Sequence, residues 1–261
     1  MSTEAFSGKV FLLITGASRG IGRQIAITFG SLLEEGSRML LLARDKNALE
    51  EVAKIIPPKI KVCTINADLC KATKTDFERF ISECLCGTPC NAFDQLIVMH
   101  NVGSLGNITH TTNKMLDIDT WRQHYDLNLF IPAILNAVIM NIFDDKTIKK
   151  TIINITSLFG IQAIKGFAYY CTVKAAREMY FKVFALENPN VNMLSYSPGP
   201  VDTNMFNFLC EFAVDPETKK RFLDEKQKIM LTPEQTVNRL VHILEKHKYK
   251  SGDRISYYDN M

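Results

Sequence analysis

Val10-Phe11-Leu12-Leu13-Ile14-Thr15-Gly16-Ala17-Ser18-Arg19-Gly20-Ile21-Gly22 decides how the rest of the chain is read. Five apolar residues in a row suit a strand buried on both faces. Glycines follow at 16, 20 and 22, and a helical pattern then runs over 22–34. Glycine allows a tight turn and lets backbone N–H groups approach a ligand closely. The helix start adds unpaired donors and the positive end of its dipole, so the turn predicts a cradle for a pyrophosphate. The spacing is Gly-x3-Gly-x-Gly and not the GxGxxG of the general dinucleotide fingerprint. Its place at the first strand–helix junction supports the reading where spacing alone does not.

Working outward, strands are predicted at 10–14, 39–43, 60–65, 95–99, 151–155, 191–196 and 254–258. Helical patterns fall between them at 22–34, 46–55, 73–86, 119–143, 169–187 and 233–246. Thr232-Pro233-Glu234 is a helix start, with a capping hydroxyl before a proline at the first position. The alternation predicts an α/β fold of Rossmann-like, doubly wound type. It has a seven-stranded, mostly parallel sheet with helices on both faces, formed by residues 1–261 as a single domain. The stretch 204–230 is weakly patterned, and both a substrate flap and a plain helical insertion remain open for it.

The 261 residues carry a net charge of +3, too small to argue for a nucleic-acid partner. The apolar runs 10–14 and 39–43 fall well short of the ~20 residues of a bilayer span, so no membrane partner is expected. The start lacks a basic-then-apolar leader, which predicts a cytoplasmic protein with its seven cysteines reduced. Cys84, Cys86 and Cys90 lie close together, but no second cluster completes a tetrahedral site, and no metal is expected.

The second strand ends at Ala43-Arg44-Asp45. Sites for NAD place an acid at this strand end to take the ribose 2′-hydroxyl. Arg44 stands there instead, and with Arg19 it could flank a 2′-phosphate, which predicts NADPH/NADP+ as cofactor. Asp45, one residue later, keeps NAD as an alternative. The fifth strand runs into Thr156-Ser157, and thirteen residues after Ser157 comes Tyr170, followed by Lys174 at i+4 on the same helical face. Reducing a ketone requires a hydride and then a proton at the developing alkoxide. A free tyrosine, with a pKa of ~10, is a poorly matched acid near pH 7. An ammonium ~4 Å away favours phenolate by ~4 kcal/mol at an effective dielectric of 20, which is expected to bring Tyr170 towards neutrality. Ser157 can hydrogen-bond the same carbonyl oxygen.

These residues resemble the short-chain dehydrogenase/reductase family almost end to end: TGASRGIG at 15–22, Ala67-Asp68-Leu69, Asn128, Ser157, Tyr170, Lys174 and Pro198-Gly199. The resemblance implies that Gly16 to Gly22, Arg44, Asp45, Asn101 and Gly103 contact the cofactor and that Asp68 and Leu69 border its adenine. It implies that Lys174 and Tyr170 meet the nicotinamide ribose. Val201, Asp202, Thr203, Asn204, Met205 and Phe206 would cover the nicotinamide side, and Asn128 would link Lys174 to solvent. Ser157, Tyr170 and Gly199 would border the substrate. Where the family has Asn-Asn-Ala-Gly, this chain has His100-Asn101-Val102-Gly103, taken as a local packing change.

Finer stretches, among them Lys165-Gly166-Phe167-Ala168, Lys174-Ala175-Ala176-Arg177 and Ser197 to Thr203, are similar to family members that reduce side-chain ketones of pterins towards tetrahydrobiopterin. That likeness implies a pterin substrate such as 6-pyruvoyl-tetrahydropterin and a homodimer. Ser256 stands where those members carry the acid that anchors the pterin ring, with Asp253 or Asp259 as substitutes. Strand alternation would turn Asp259 to the opposite face unless the chain bends. A reductase of other ketones or dicarbonyls is the alternative, and a non-catalytic NADPH-binding sensor is the alternative of another class.

Overall fold

The computed structural model describes residues 4–260. The apolar run that opens the chain is β1 (Val10–Thr15), buried along its whole length. β2 (Arg38–Ala43), β3 (Lys61–Asn66), β4 (Gln95–His100), β5 (Lys149–Ile155), β6 (Val191–Ser197) and β7 (Arg254–Ser256) complete the sheet. Its order is β3-β2-β1-β4-β5-β6-β7, and every pairing is parallel. The chain turns back between β1 and β4, which opens a crevice at the carboxyl ends of the strands where ligands bind in such sheets.

Strand alternation divides the core. Val10, Leu12 and Ile14 pack with Ile25 and Phe29 of α1 (Gly20–Leu32), Leu49 of α2 (Lys46–Ile55) and Leu240 of α9 (Pro233–Lys246). Phe11 and Leu13 face the other way, onto Phe77 of α3 (Lys74–Leu85), Leu135 of α5 (Ile131–Ile142) and Phe181 of α6 (Ala168–Glu187). Each such side chain contributes ~1.5–3 kcal/mol when fully buried. A third cluster, formed by Leu105, Ile108, Phe167, Tyr170, Phe206, Leu209 and Phe222, lies over the crevice.

Three differences from the sequence reading concern the site. The helix expected over 119–143 is α4 (Ile118–Tyr125) and α5, joined by a π-turn at Asp126–Phe130. As a continuous stretch, Ile118–Ile142 is long and apolar enough to cross a membrane by length and composition, a property that short apolar runs do not reveal. Ile131, Leu135, Val138 and Ile139 bury much of that apolar character in the core. The stretch 204–230 is a helical insertion of α7 (Asn204–Phe212) and α8 (Pro216–Lys228). Its two ends are tied together by Leu231 N donating to Pro200 O (2.9 Å) and Asp202 N donating to Leu231 O (2.8 Å). Finally, β7 stops at Ser256, two residues before the expected end, because the chain bends there. Asp259 N donates to Ser256 O, and Ser256 N to the Asp259 carboxylate (2.7 Å).

Candidate active site

The glycine turn is locked from several sides. Gly16 has φ +71°, and its N–H donates to Leu42 O (2.7 Å) at the end of β2. A Cβ on Gly22 would stand 2.1 Å from Gly16 O, so any other residue there would break the turn. Arg19 precedes α1 without a side-chain cap, which leaves the first N–H groups of the helix as donors. Asn101 Nδ2 donates to Thr15 O (3.0 Å) and Gly16 O (3.3 Å), joining the turn to the end of β4. Thr15, which the sequence reading left out, receives the N–H groups of Asn101 and Val102 on its hydroxyl, both at 3.0 Å. A hydroxyl at the last position of β1, directly before Gly16, was the available signal.

This cradle fits a dinucleotide: close backbone, a free helix start and no side chain in the way. Arg19 and Arg44 are exposed and make no ion pair among the described residues. Asp45 is turned to local use, capping α2 through Ala48 N (3.1 Å). Asp68 is exposed and caps the turn at Leu69–Lys71. The Leu69 side chain is buried in the core, which leaves only its backbone to border an adenine. Ala17 is buried, while Ser18 and Ile21 are half-buried.

Tyr170 and Lys174 lie on the first turns of α6, both buried. Lys174 Nζ sits 5.5 Å from the Tyr170 ring centre and donates to Ile155 O (2.8 Å), at the end of β5. Gly103 faces the same ammonium: a Cβ there would be 3.8 Å from Lys174 Nζ and 3.1 Å from Asn128 Oδ1. Asn128, fully buried in the π-turn, accepts from Ser104 N (2.9 Å) and donates to His124 O (2.8 Å). Ser157 follows β5, accepts from Phe159 N (3.2 Å) and lies close enough to Tyr170 to favour its ionised form. Ser157, Tyr170, Lys174, Asn128, Asn101 and Gly103 thus converge at the strand ends beside the cradle.

The electrostatics correct one expectation. Burial pushes the Tyr170 hydroxyl up to about 12, against the lowering effects of the Ser157 hydrogen bond and the Arg177 charge. The same burial, with Arg177 adding to it, drives Lys174 well below the ordinary ammonium range, and Glu178 opposes the shift. The lysine's attraction was expected to exceed the cost of desolvation, and in this structure desolvation is the larger effect. Tyr170 therefore keeps its proton at neutral pH, the state that a proton donor needs.

On the far wall, Gly199 takes φ +78° with Tyr257, Tyr258 and Leu231 packed around it. Val201 and Phe206 are buried; Asp202, Asn204 and Met205 are exposed, and Thr203 caps α7. Phe206 points into the cluster around Tyr170 instead of standing free. Phe159, Phe167, Phe222 and Tyr170 pack together there with centroids 5.6–6.2 Å apart, and Phe167 and Phe222 are fully buried. His100 is fully buried, bonds Asn136 Oδ1 (3.2 Å) and packs on Phe181.

Fold and site together define a nucleotide-binding oxidoreductase scaffold. The short chain dehydrogenase model matches residues 10–212, and the chain belongs to that family. Among characterised relatives it is similar to sepiapterin reductase of Meriones unguiculatus (34% identical over 258 residues, 97% of this chain and 98% of the relative) and of Bos taurus (32%, 97% and 96%). It is also similar to a benzil reductase of Bacillus subtilis (30% over 197 residues, 74% and 75%). A short chain dehydrogenase/reductase crystal structure from Saccharomyces cerevisiae shares the fold, with TM-score 0.80 at 22% identity over 97% of both chains.

Proposed function

We propose that this chain is an NADPH-dependent carbonyl reductase and that its substrate is the side-chain ketone of a pterin. The observation that carries the reading is the buried Tyr170, with Lys174 Nζ 5.5 Å from its ring and Ser157 at the end of β5, beside the Gly16–Gly22 cradle. The Gly16–Gly22 cradle would hold NADPH, which would supply the hydride for the carbonyl carbon. Tyr170 gives its proton to the carbonyl oxygen, and the Ser157 hydroxyl holds that oxygen by a hydrogen bond. Lys174 orients the cofactor ribose, and Asn128, backed by Ser104 and His124, fixes the wall beside it. The free guanidinium of Arg44, with Arg19 across the turn, takes the 2′-phosphate.

The pterin assignment rests on the sepiapterin reductase relatives, which match along almost the whole chain. Ser256 is its weak point, since an uncharged hydroxyl replaces a charged hydrogen bond worth ~1.5–3 kcal/mol. Asp253 lies before β7, at the wrong end of a parallel strand, and its carboxylate is taken by Lys250 N (2.8 Å). Asp259 is the carboxylate that remains, folded back beside Ser256 by the bend. Ser256 and the similarity to a benzil reductase support a second reading, reduction of apolar dicarbonyls. Rates of NADPH oxidation with sepiapterin and with benzil decide between them. A higher kcat/KM for sepiapterin supports the first reading, and turnover of benzil alone supports the second.

The chain is also proposed to act as a homodimer. Phe130 and Ile134 by α5, and Met179, Val183 and Leu186 on α6, are exposed, and the two helices adjoin through Tyr180 Oη donating to Ala133 O (3.2 Å). Exposed apolar side chains gathered on two adjoining helices are suited to self-association. Light scattering should give twice the chain mass, and Leu186→Glu with Val183→Glu should give the monomer.

A further inference from the structure

Arg177 is the largest fully buried side chain in the molecule, one helical turn after Lys174. Among the described residues no carboxylate pairs with it; its neighbour Glu178 is engaged by Thr156 and by Arg254 Nε (3.2 Å). The guanidinium instead donates to three carbonyl oxygens: Nη1 to Val102 (2.9 Å) and Asn128 (3.3 Å), and Nη2 to His100. Nε has no partner. These carbonyls come from the end of β4, the loop leading to Gly103, and the π-turn that carries Asn128. A π-turn shifts backbone bonding away from the i+4 pattern, and such turns recur at functional sites. A buried cation without a counter-ion is costly, so its retention calls for a role beyond packing.

We propose that Arg177 is a positioning residue for the reduction: it clamps the loop after β4 and the π-turn against α6, and presents a fixed positive charge to the Tyr170 hydroxyl. The proposal rests on the reductase reading above. The planar fork of arginine spreads its donors over two nitrogens that reach carbonyls on separate segments, whereas the three donors of lysine radiate from one point. Arg177 favours the phenolate of Tyr170, so removing the charge raises the hydroxyl's pKa. The other titratable or charged groups around the pair are Lys174, Cys171 and Glu178 on α6, His100 on β4, His124 on α4, Arg254 on β7 and Cys210 on α7.

The test uses R177K and R177Q in the full chain. In R177K, which keeps the charge and loses the clamp, kcat for carbonyl reduction should fall about tenfold or more with KM changed less than about threefold. In R177Q, which loses both charge and clamp, the fall in kcat is larger. Amide hydrogen exchange, which requires no activity, should quicken at 101–104 and 126–130 in both variants while β1, β2 and β5 keep their protection. Unchanged exchange in those segments, or an R177K rate within about twofold of wild type, overturns the proposal. So does a uniform loss of protection across the sheet in R177K, which would make Arg177 a core residue only. If the wild type reduces no carbonyl, the functional reading fails, and exchange still decides the clamp.

Discussion

The two ends of the crevice are built on different principles. At the β1–α1 end, backbone geometry dictates the residues: Gly22 has 2.1 Å of space where a Cβ would go, and Gly16 needs a positive φ. At the β6–β7 end Gly199 is also held by a positive φ, but Leu231, Ser256, Asp259 and the α7–α8 insertion shape the rest of the wall through side-chain contacts, which many sequences could satisfy. The first end identifies a cofactor class from its sequence. The second defines a substrate only through its particular side chains, Ser256 among them.

That contrast sets the scale of the expected effects. Gly22→Ala should abolish cofactor binding in practice, raising the NADPH Kd by more than roughly 100-fold by titration, because its Cβ collides with backbone that cannot move aside. Arg44→Ala should cost about 10- to 100-fold in NADPH affinity and leave NADH affinity nearly unchanged, the loss of one charged contact. Equal losses for both nucleotides would remove Arg44 from the 2′-phosphate site. Ser256→Asp probes the other end and should lower KM for sepiapterin by up to about tenfold without changing kcat. An unchanged KM would detach that position from substrate anchoring.

A smaller effect concerns stability. Burial holds His100 down at about 3 and His124 at about 4, below the ~6.5 of an unfolded histidine. Folded-state pKa values below the unfolded one give stability that is present above pH ~6.5 and lost as pH falls towards 4 and 3. The melting temperature should therefore drop between pH 7 and 5, and His100→Asn should shallow that drop, since asparagine has no charge to acquire.

What was legible in the sequence follows the same division. The parallel sheet, the glycine turn and the Ser157, Tyr170 and Lys174 set could be read because each depends on local periodicity or on a turn that tolerates few residues. The π-turn at Asp126–Phe130 could not, because its widening depends on what Asn128 meets across the site. The 204–230 insertion hid behind the charges of α8, although Asp215 before Pro216 is the same kind of start signal as Thr232 before Pro233. The acidity of Tyr170 was misjudged because sequence spacing reveals a charged neighbour and says little about the loss of water.

The central claim, that Tyr170 delivers the proton of a carbonyl reduction beside NADPH, is tested most directly by Tyr170→Phe. NADPH oxidation with sepiapterin and benzil should fall by about 10²- to 10⁴-fold, while NADPH Kd and melting temperature stay close to wild type, since the ring still fills its place in the apolar cluster. A variant that keeps its rate within about threefold of wild type would contradict the account.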